Sequence, residues 1–341
     1  MDTIPENSIS LEGAPAIPGL SFRHFHGEED YYPILDVNTR SKIADGLGHD
    51  LHTIDTLKYV YGPSPTHDPT KDVLLSEIDG KLVAFTRVFW ERLHEDGSRV
   101  YSHFGFVVPE WRGKGIGTTQ LRWAEARARE IEAAREEAGG AAPSVLNTYA
   151  ETGMQATTDL LISQEYKPVR YHFFMMTDDL DHIPDVPMPD GLEIRPVVPE
   201  HYRAIWEASA EAFRDHWGAS EVDEAGFERF LADPRNEPRL WVVVWDGDQV
   251  AGSILNFVNY DYNERTGTQL GYTEDISVRR PWRRRGLARA MLARSMQLHK
   301  DNGMTQTGLG VDTENPSGAL HLYESMGYKV VTQSTTYQKP L

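Results

Sequence analysis

The chain of 341 residues contains no cysteine. Disulfides, cysteine-ligated zinc and cysteine nucleophiles are therefore excluded. No apolar run reaches the length of about 18 residues that a membrane-spanning helix needs. The opening residues, Met1 to Ser10, are polar and acidic, without the basic end and apolar core of a secretory signal. A cytoplasmic protein with no membrane partner is expected. Positive charge is also scarce: 34 Lys and Arg stand against 52 Asp and Glu, a formal charge of −18. Nucleic acid, which needs basic surface, is not an expected partner. The acidic excess draws cationic partners such as amines over long range, and it also serves solubility.

What the chain does have is one short signature, twice. Arg112-Gly113-Lys114-Gly115-Ile116-Gly117 recurs, altered, as Arg283-Arg284-Arg285-Gly286-Leu287-Ala288. The starts lie 283 − 112 = 171 residues apart, about half the chain. Each copy follows an apolar strand-like run and opens a long helical pattern. Leu121, Ala124, Ala128 and Ile131 share one face of the first helix, which is expected to end at Gly139-Gly140. Met291, Leu292, Ser295 and Met296 share one face of the second.

The repeat extends outwards. Leu20 to Arg23 resembles Leu192 to Arg195. The strand, Asp-Gly turn and strand of Val73 to Val88 resemble Leu240 to Leu255. Each half then adds a strand (Ser144 to Tyr149; Gly308 to Asp312), a helix and a final strand. Between the halves, Pro184, Pro187 and Pro189 mark a linker. The expected fold class is α+β (α/β), with two tandem domains, each a mixed, mostly antiparallel central sheet flanked by helices. The expected divisions are a flexible N-terminus over 1–18, a domain over 19–180, a linker over 181–191 and a domain over 192–341.

A strand, a glycine-containing basic turn and a helix start together make a cradle for a diphosphate. Small residues let the backbone approach the phosphates, and arginines add charge-assisted bonds. A triphosphatase loop does not fit, because Arg112 to Thr118 lacks its glycine-lysine-serine ending. His24 with His26, and His49 with His52, are metal-type pairs without a clear third ligand, so no metal is expected.

With the later segment Asn315-Pro316-Ser317-Gly318-Ala319-Leu320-His321-Leu322-Tyr323, the second signature resembles the two motifs of the GNAT superfamily of N-acyltransferases. The tandem layout is similar to that family's two-domain mycothiol synthase type, whose C-terminal half is the catalyst. The resemblance implies acetyl-CoA as co-substrate, and a small-molecule primary amine as acceptor in a monomer or homodimer. Phosphates would be held by Arg283, Arg284, Arg285, Gly286, Leu287 and Ala288, and in the first half by Arg112, Gly113, Lys114, Gly115, Ile116 and Gly117. The amide-rich pantetheine arm would pair with a splayed strand at Ile276, Ser277 and Val278, or at Gly105, Phe106 and Val107. Asn315 would cap the next helix and touch the cofactor.

Glu274 is the first candidate for the base, placed on the face of Ile276 by strand alternation, with Asp275 second. Tyr323 matches the family's acid, which protonates the departing thiolate. Trp217, Tyr260 and Asp275 are the expected acceptor contacts, since aromatics with carboxylates suit an amine. In the first half, Leu161 stands at Tyr323, Gly153 at Asn315 and His103 at Glu274. That half therefore reads as degenerate. The runner-up reading of the whole chain is a non-catalytic acyl-CoA-binding or sensing protein.

Overall fold

The structure is a computed structural model that describes residues 8–134, 143–315 and 318–341. In chain order the elements are β1 (Leu20–His24), α1 (Glu28–Ala44), α2 (Ile54–Tyr61), α3 (Pro69–Asp72), β2 (Val73–Ile78), β3 (Lys81–Arg92), β4 (Arg99–Val107), α4 (Ile116–Ala133), β5 (Ser144–Glu151) and α5 (Gln155–Ser163). There follow β6 (Lys167–Thr177), β7 (Glu193–Ile194), α6 (Tyr202–Phe213), α7 (Glu224–Ala232), β8 (Val242–Asp246), β9 (Gln249–Val258), α8 (Tyr260–Thr266), β10 (Leu270–Val278), α9 (Leu287–Asp301), β11 (Gln306–Asp312), α10 (Ala319–Ser325) and β12 (Lys329–Pro340). The mixed sheets flanked by helices are those the repeat predicts. The helix end expected at Gly139-Gly140 lies outside the described residues.

Two compact units emerge. One holds the chain up to Val169 with Thr335–Leu341; the other is Arg170–Ser334. In the first unit the strands run β1-β2-β3-β4-β5, and the end of β12 lies beside β5. There the Leu341 backbone donates to the Ser144 carbonyl at 3.1 Å. In the second unit the order is β6-β11-β10-β9-β8-β7. β6, which the repeat places at the end of the first half, pairs antiparallel with β11 from Thr177↔Thr307 to His172↔Asp312. The repeat alone cannot choose between the two final strands. Both halves offer the same apolar alternation, and pairing follows register and face rather than chain order.

The helices meet the sheets as their periodicity demands. In the first unit Leu121, Ala124 and Ala128 of α4 pack with Tyr101 and Leu146, while α1 sets Ile34 and Val37 against Val73 and Phe85. In the second unit Met291, Leu292 and Met296 of α9 close on Val242, Ile254, Leu309 and Val311. Ile205 of α6 covers Val243 and Leu255 on the opposite face. The proline-rich stretch is packed as well, with Ile183, Val186 and Met188 against the α9-side core. Residues 8–18, expected as part of a flexible start, are held on the first unit. The Ile9 backbone donates to the Phe22 carbonyl at 2.7 Å, and Pro15 lies against Gly115.

Two buried histidines tie this packing to pH. His103 shares a 2.8 Å hydrogen bond between Nε2 and the Tyr166 hydroxyl. His299 of α9 packs so closely on β10 that a Cβ at Gly271 would lie 2.1 Å from its Nδ1. Burial pushes both imidazoles down to about 4. A lowered histidine pKa favours folding above the unfolded value near 6.5, and that contribution is lost as pH falls towards the folded value. Thermal midpoints are therefore expected to fall between pH 6.5 and 4, with a shallower fall in His299→Leu. Parallel pH profiles for the two proteins would refute the assignment.

Candidate functional site

Both signatures fold into the same turn. Gly113 and Gly115 have φ of 71° and 91°, and the second of them starts α4. Arg284 and Gly286 have φ of 60° and 82°, and Gly286 starts α9. Left-handed residues two apart point successive backbone N–H groups to one side, which makes an anion nest at a helix start. Arg284, Arg285 and Arg289 are exposed around the second nest. Cations at a helix N-terminus oppose its dipole, so this cluster fits a bound anion.

The first arginine of each copy has another task. Arg283 donates from Nε to the Val278 carbonyl at 2.9 Å and from a terminal nitrogen to the Ala212 carbonyl at 3.0 Å, and it pairs with Asp215 at 3.4 Å. Arg112 repeats this on the Val107 and Ser41 carbonyls and Asp45. Each clamps its turn to the preceding strand and to the helix α1 or α6. The motif residues thus divide into clamp and nest.

A cavity of about 790 Å³ opens from the second nest. Ile276, Ser277, Val278, Arg283, Arg284, Gly286, Leu287, Ala288, Asn315 and Tyr323 all line it, together with Phe213, His216, Trp282 and Arg289. Arg285 is not in its wall. Pro316 and Ser317 lie outside the described residues. Arg289, His216 and Trp282 escaped the sequence reading. Arg289 was findable, because it stands three residues into the helix from Gly286 and so rejoins the nest.

Tyr323 is buried at 6 % exposure in the α9-side core, with its ring 6.3 Å from that of Tyr328. Burial, with Tyr328 adding, raises its pKa well above the ordinary phenol value. Its proton is therefore held throughout the neutral range.

Glu274 and Asp275 do not line this cavity, and a bulge explains why. Between Glu274↔Leu255 and Ser277↔Ser253, β10 advances three residues while β9 advances two. The extra residue sits at Asp275, whose φ of 47° is left-handed. The alternation that put Glu274 on the face of Ile276 is broken there. Glu274 stands opposite Leu255, on the α6 side, whereas Ile276 packs into the α9-side core. Crowding by protein raises the pKa of Asp275, with Arg235 opposing and Asp233 adding. Trp217 is exposed, with Arg170 5.7 Å from its ring centre. Tyr260 is also exposed; it donates to Glu237 at 3.0 Å and accepts from Arg239 at 2.7 Å. Neither lines the cavity.

The first unit has a smaller cavity of about 410 Å³, lined by Gly105, Phe106, Val107, Arg112, Gly113, Gly115, Gly117 and Leu161. Lys114 instead stacks over Trp111 at 4.1 Å, and Ile116 is buried in the core. Pro15 lies 3.3 Å from where a Cβ on Gly115 would be, while nothing lies within 4 Å of that point at Gly286. β3 and β4 pair without a shift from Ala84↔Val107 to Arg92↔Arg99, so the bulge is missing. His103 therefore matches Thr273 rather than Glu274. Both meet the helix side, Thr273 through Ser295 of α9 at 3.4 Å, and His103 through the buried Tyr166. Phe104 takes the place of Glu274. Among the described residues no group of three or more His, Asp or Glu is placed to hold a metal ion. No helix among them is long and apolar enough to cross a membrane.

The sequence profile described as the acetyltransferase (GNAT) family matches residues 40–149 and 202–328. A mycothiol acetyltransferase from Salinispora tropica is 25 % identical over 312 residues, covering 89 % of this chain and 92 % of that protein. The crystal structure of a GCN5-related N-acetyltransferase from Sphaerobacter thermophilus superposes with a TM-score of 0.70 at 26 % identity, over 94 % of this chain and 95 % of the other. A tandem GNAT protein from the clavulanic acid biosynthesis pathway shares the fold, with a TM-score of 0.68 at 14 % identity over 94 % and 98 % of the two chains.

The nest makes a stability prediction. Gly286→Ala is expected to cost about 1–2 kcal/mol, because alanine resists the left-handed region. Arg284→Gly removes such a resisting residue and should cost nothing. Urea midpoints of the two variants check this, and equal losses would contradict it.

Proposed function

This chain belongs to the acetyltransferase (GNAT) family and is an N-acetyltransferase, and from that premise we propose that it acetylates a primary amine of a small molecule by direct transfer in its C-terminal half. The family uses acetyl-CoA, and the second nest, with Arg284, Arg289 and a backbone bare at Gly286, suits its pyrophosphate. The observation that carries the reading is Tyr323 in the wall of the cavity that opens from that nest.

Glu274 is the proposed base and Tyr323 the proposed acid, on the two faces of the sheet. Glu274 takes a proton from the acceptor ammonium. The amine nitrogen then bonds to the acetyl carbon, and the carbon–sulfur bond breaks. Tyr323 gives its proton to the departing sulfur, and it is reprotonated as the amide nitrogen sheds its remaining extra proton. Backbone N–H groups of β10 beyond its pairing with β11 would hold the developing oxyanion. In the first unit Leu161 and Phe104 stand in these two places, and neither moves a proton. That unit fits binding without transfer.

Tyr323→Phe is expected to lower kcat by roughly 10²-fold or more while acetyl-CoA binding holds. Unchanged turnover would remove Tyr323 from the mechanism. Glu274→Gln is expected to slow transfer most at neutral pH. The loss should shrink towards pH 10, where the amine sheds its proton unaided. A pH-independent loss would assign Glu274 to positioning. Binding of acetyl-CoA with no thiol release across a panel of amines would favour the sensing alternative.

A further inference from the structure

The cavity of the first unit has a polar wall that the acetyl-transfer reading leaves unused. His103 lines it, with Thr86, Gln120 and Thr148, and all four side chains are buried. Thr273, the counterpart of His103, does not line the second cavity; its hydroxyl is shared with Thr307 at 2.9 Å and Ser295 at 3.4 Å. His103 is also the first residue of β4 past its last pair with β5, Ser102↔Asn147. The unit without the phenol thus holds an imidazole where its strands part. The nest glycines Gly113 and Gly115 line the same cavity.

Behind His103 a chain of hydrogen bonds runs into the core of the first unit. Nε2 meets the Tyr166 hydroxyl at 2.8 Å. Tyr166 bonds in turn to Glu125, which Lys339 holds at 2.9 Å and Arg129 at 3.4 Å. The residue types set the directions. Glu125, paired with two cations, accepts, so the Tyr166 hydroxyl donates to it. Burial, with Glu125 adding, raises the Tyr166 pKa far above the ordinary phenol value, and that proton stays in place. The phenol oxygen then accepts from Nε2–H, and the lone pair of the ring is on Nδ1. Burial keeps the imidazole neutral through the neutral range, with Glu125 opposing and Lys339 adding. A neutral imidazole takes up a proton, and an imidazolium formed in such burial passes it on readily. A base fixed by a second group, which a third group holds, is the arrangement of general base catalysis.

We propose that the first unit hydrolyses acetyl-CoA, with His103 as the base that activates water and with Tyr166 and Glu125 positioning it. This goes beyond the acetyl-transfer reading and takes from it only the ligand. Nδ1 of His103 takes a proton from water as the water oxygen bonds to the acetyl carbon. The carbon–sulfur bond then breaks, and the proton passes from Nδ1 to the departing sulfur. The products are acetic acid, which ionises, and coenzyme A. Leu161, in the place of Tyr323, takes no part, so His103 serves both proton steps.

The test follows thiol release from acetyl-CoA, with no amine present, in the full chain carrying Glu274→Gln and Tyr323→Phe to silence the second unit. Release is expected to exceed the uncatalysed rate and to stay level between about pH 6 and 8, above the His103 value of about 4. Adding His103→Gln is expected to lower kcat by roughly 10²-fold or more, with an unchanged circular dichroism spectrum as the sign of an intact fold. Tyr166→Phe removes one oxygen that is not in the cavity wall. It is expected to lower kcat by about tenfold or more and to leave KM unchanged, because it releases the ring without reshaping the site. Release at the uncatalysed rate, or equal release with and without His103, overturns the inference. A Tyr166→Phe variant changed in KM alone overturns the positioning role. Protein that hydrolyses acetyl-CoA but acetylates no amine in its unsubstituted form overturns the transfer reading and supports this one, since hydrolysis needs no acceptor.

Discussion

The candidate site depends on two parallel strands that stop pairing. β10 and β11 hold together for three rungs, Leu270↔Gln306 to Tyr272↔Gly308, and then diverge. Unpaired backbone in a sheet interior is costly unless something else bonds to it. Here the parting leaves room on one face for the cavity that Tyr323 lines. The nest at Arg284 and Gly286 lies just past the end of β10. One strand therefore leads from Glu274 to the nest.

The bulge at Asp275 puts this opening to use. One extra residue turns Ile276 into the α9-side core and leaves Glu274 on the α6 side. Base and acid candidates thus sit on opposite faces, with the parted strands between them. The first unit has the parting and the nest without the bulge. Its β3–β4 register is unbroken, Phe104 replaces the carboxylate and Leu161 replaces the phenol. Pro15 also narrows the approach to its nest. The two units share the features that make the fold and differ in the bulge, the carboxylate and the phenol.

Much of this was legible residue by residue. The doubled signature marks both nests through Gly115 and Gly286, the left-handed residues that start α4 and α9. Tyr323, read by resemblance from its place after Ala319, lines the cavity, and the apolar faces of α4 and α9 follow from their 3.6-residue period. Other assignments depended on three dimensions. Arg112 and Arg283 read as phosphate ligands, and they hold the turn to carbonyls some 70 residues upstream, Ser41 and Ala212. His103 read as the counterpart of Glu274 because a bulge is invisible to residue counting.

The sequence alone determined the local geometry: helix faces, hairpin turns, left-handed positions and the absence of any cysteine chemistry. These follow from interactions between residues near in the chain, which periodicity and residue type report directly. Only the tertiary structure decided where β6 and β12 pair and which side of the sheet Glu274 occupies. Those outcomes turn on register, one inserted residue and side chains contributed by distant strands, and two halves of common pattern differ in none of these by periodicity.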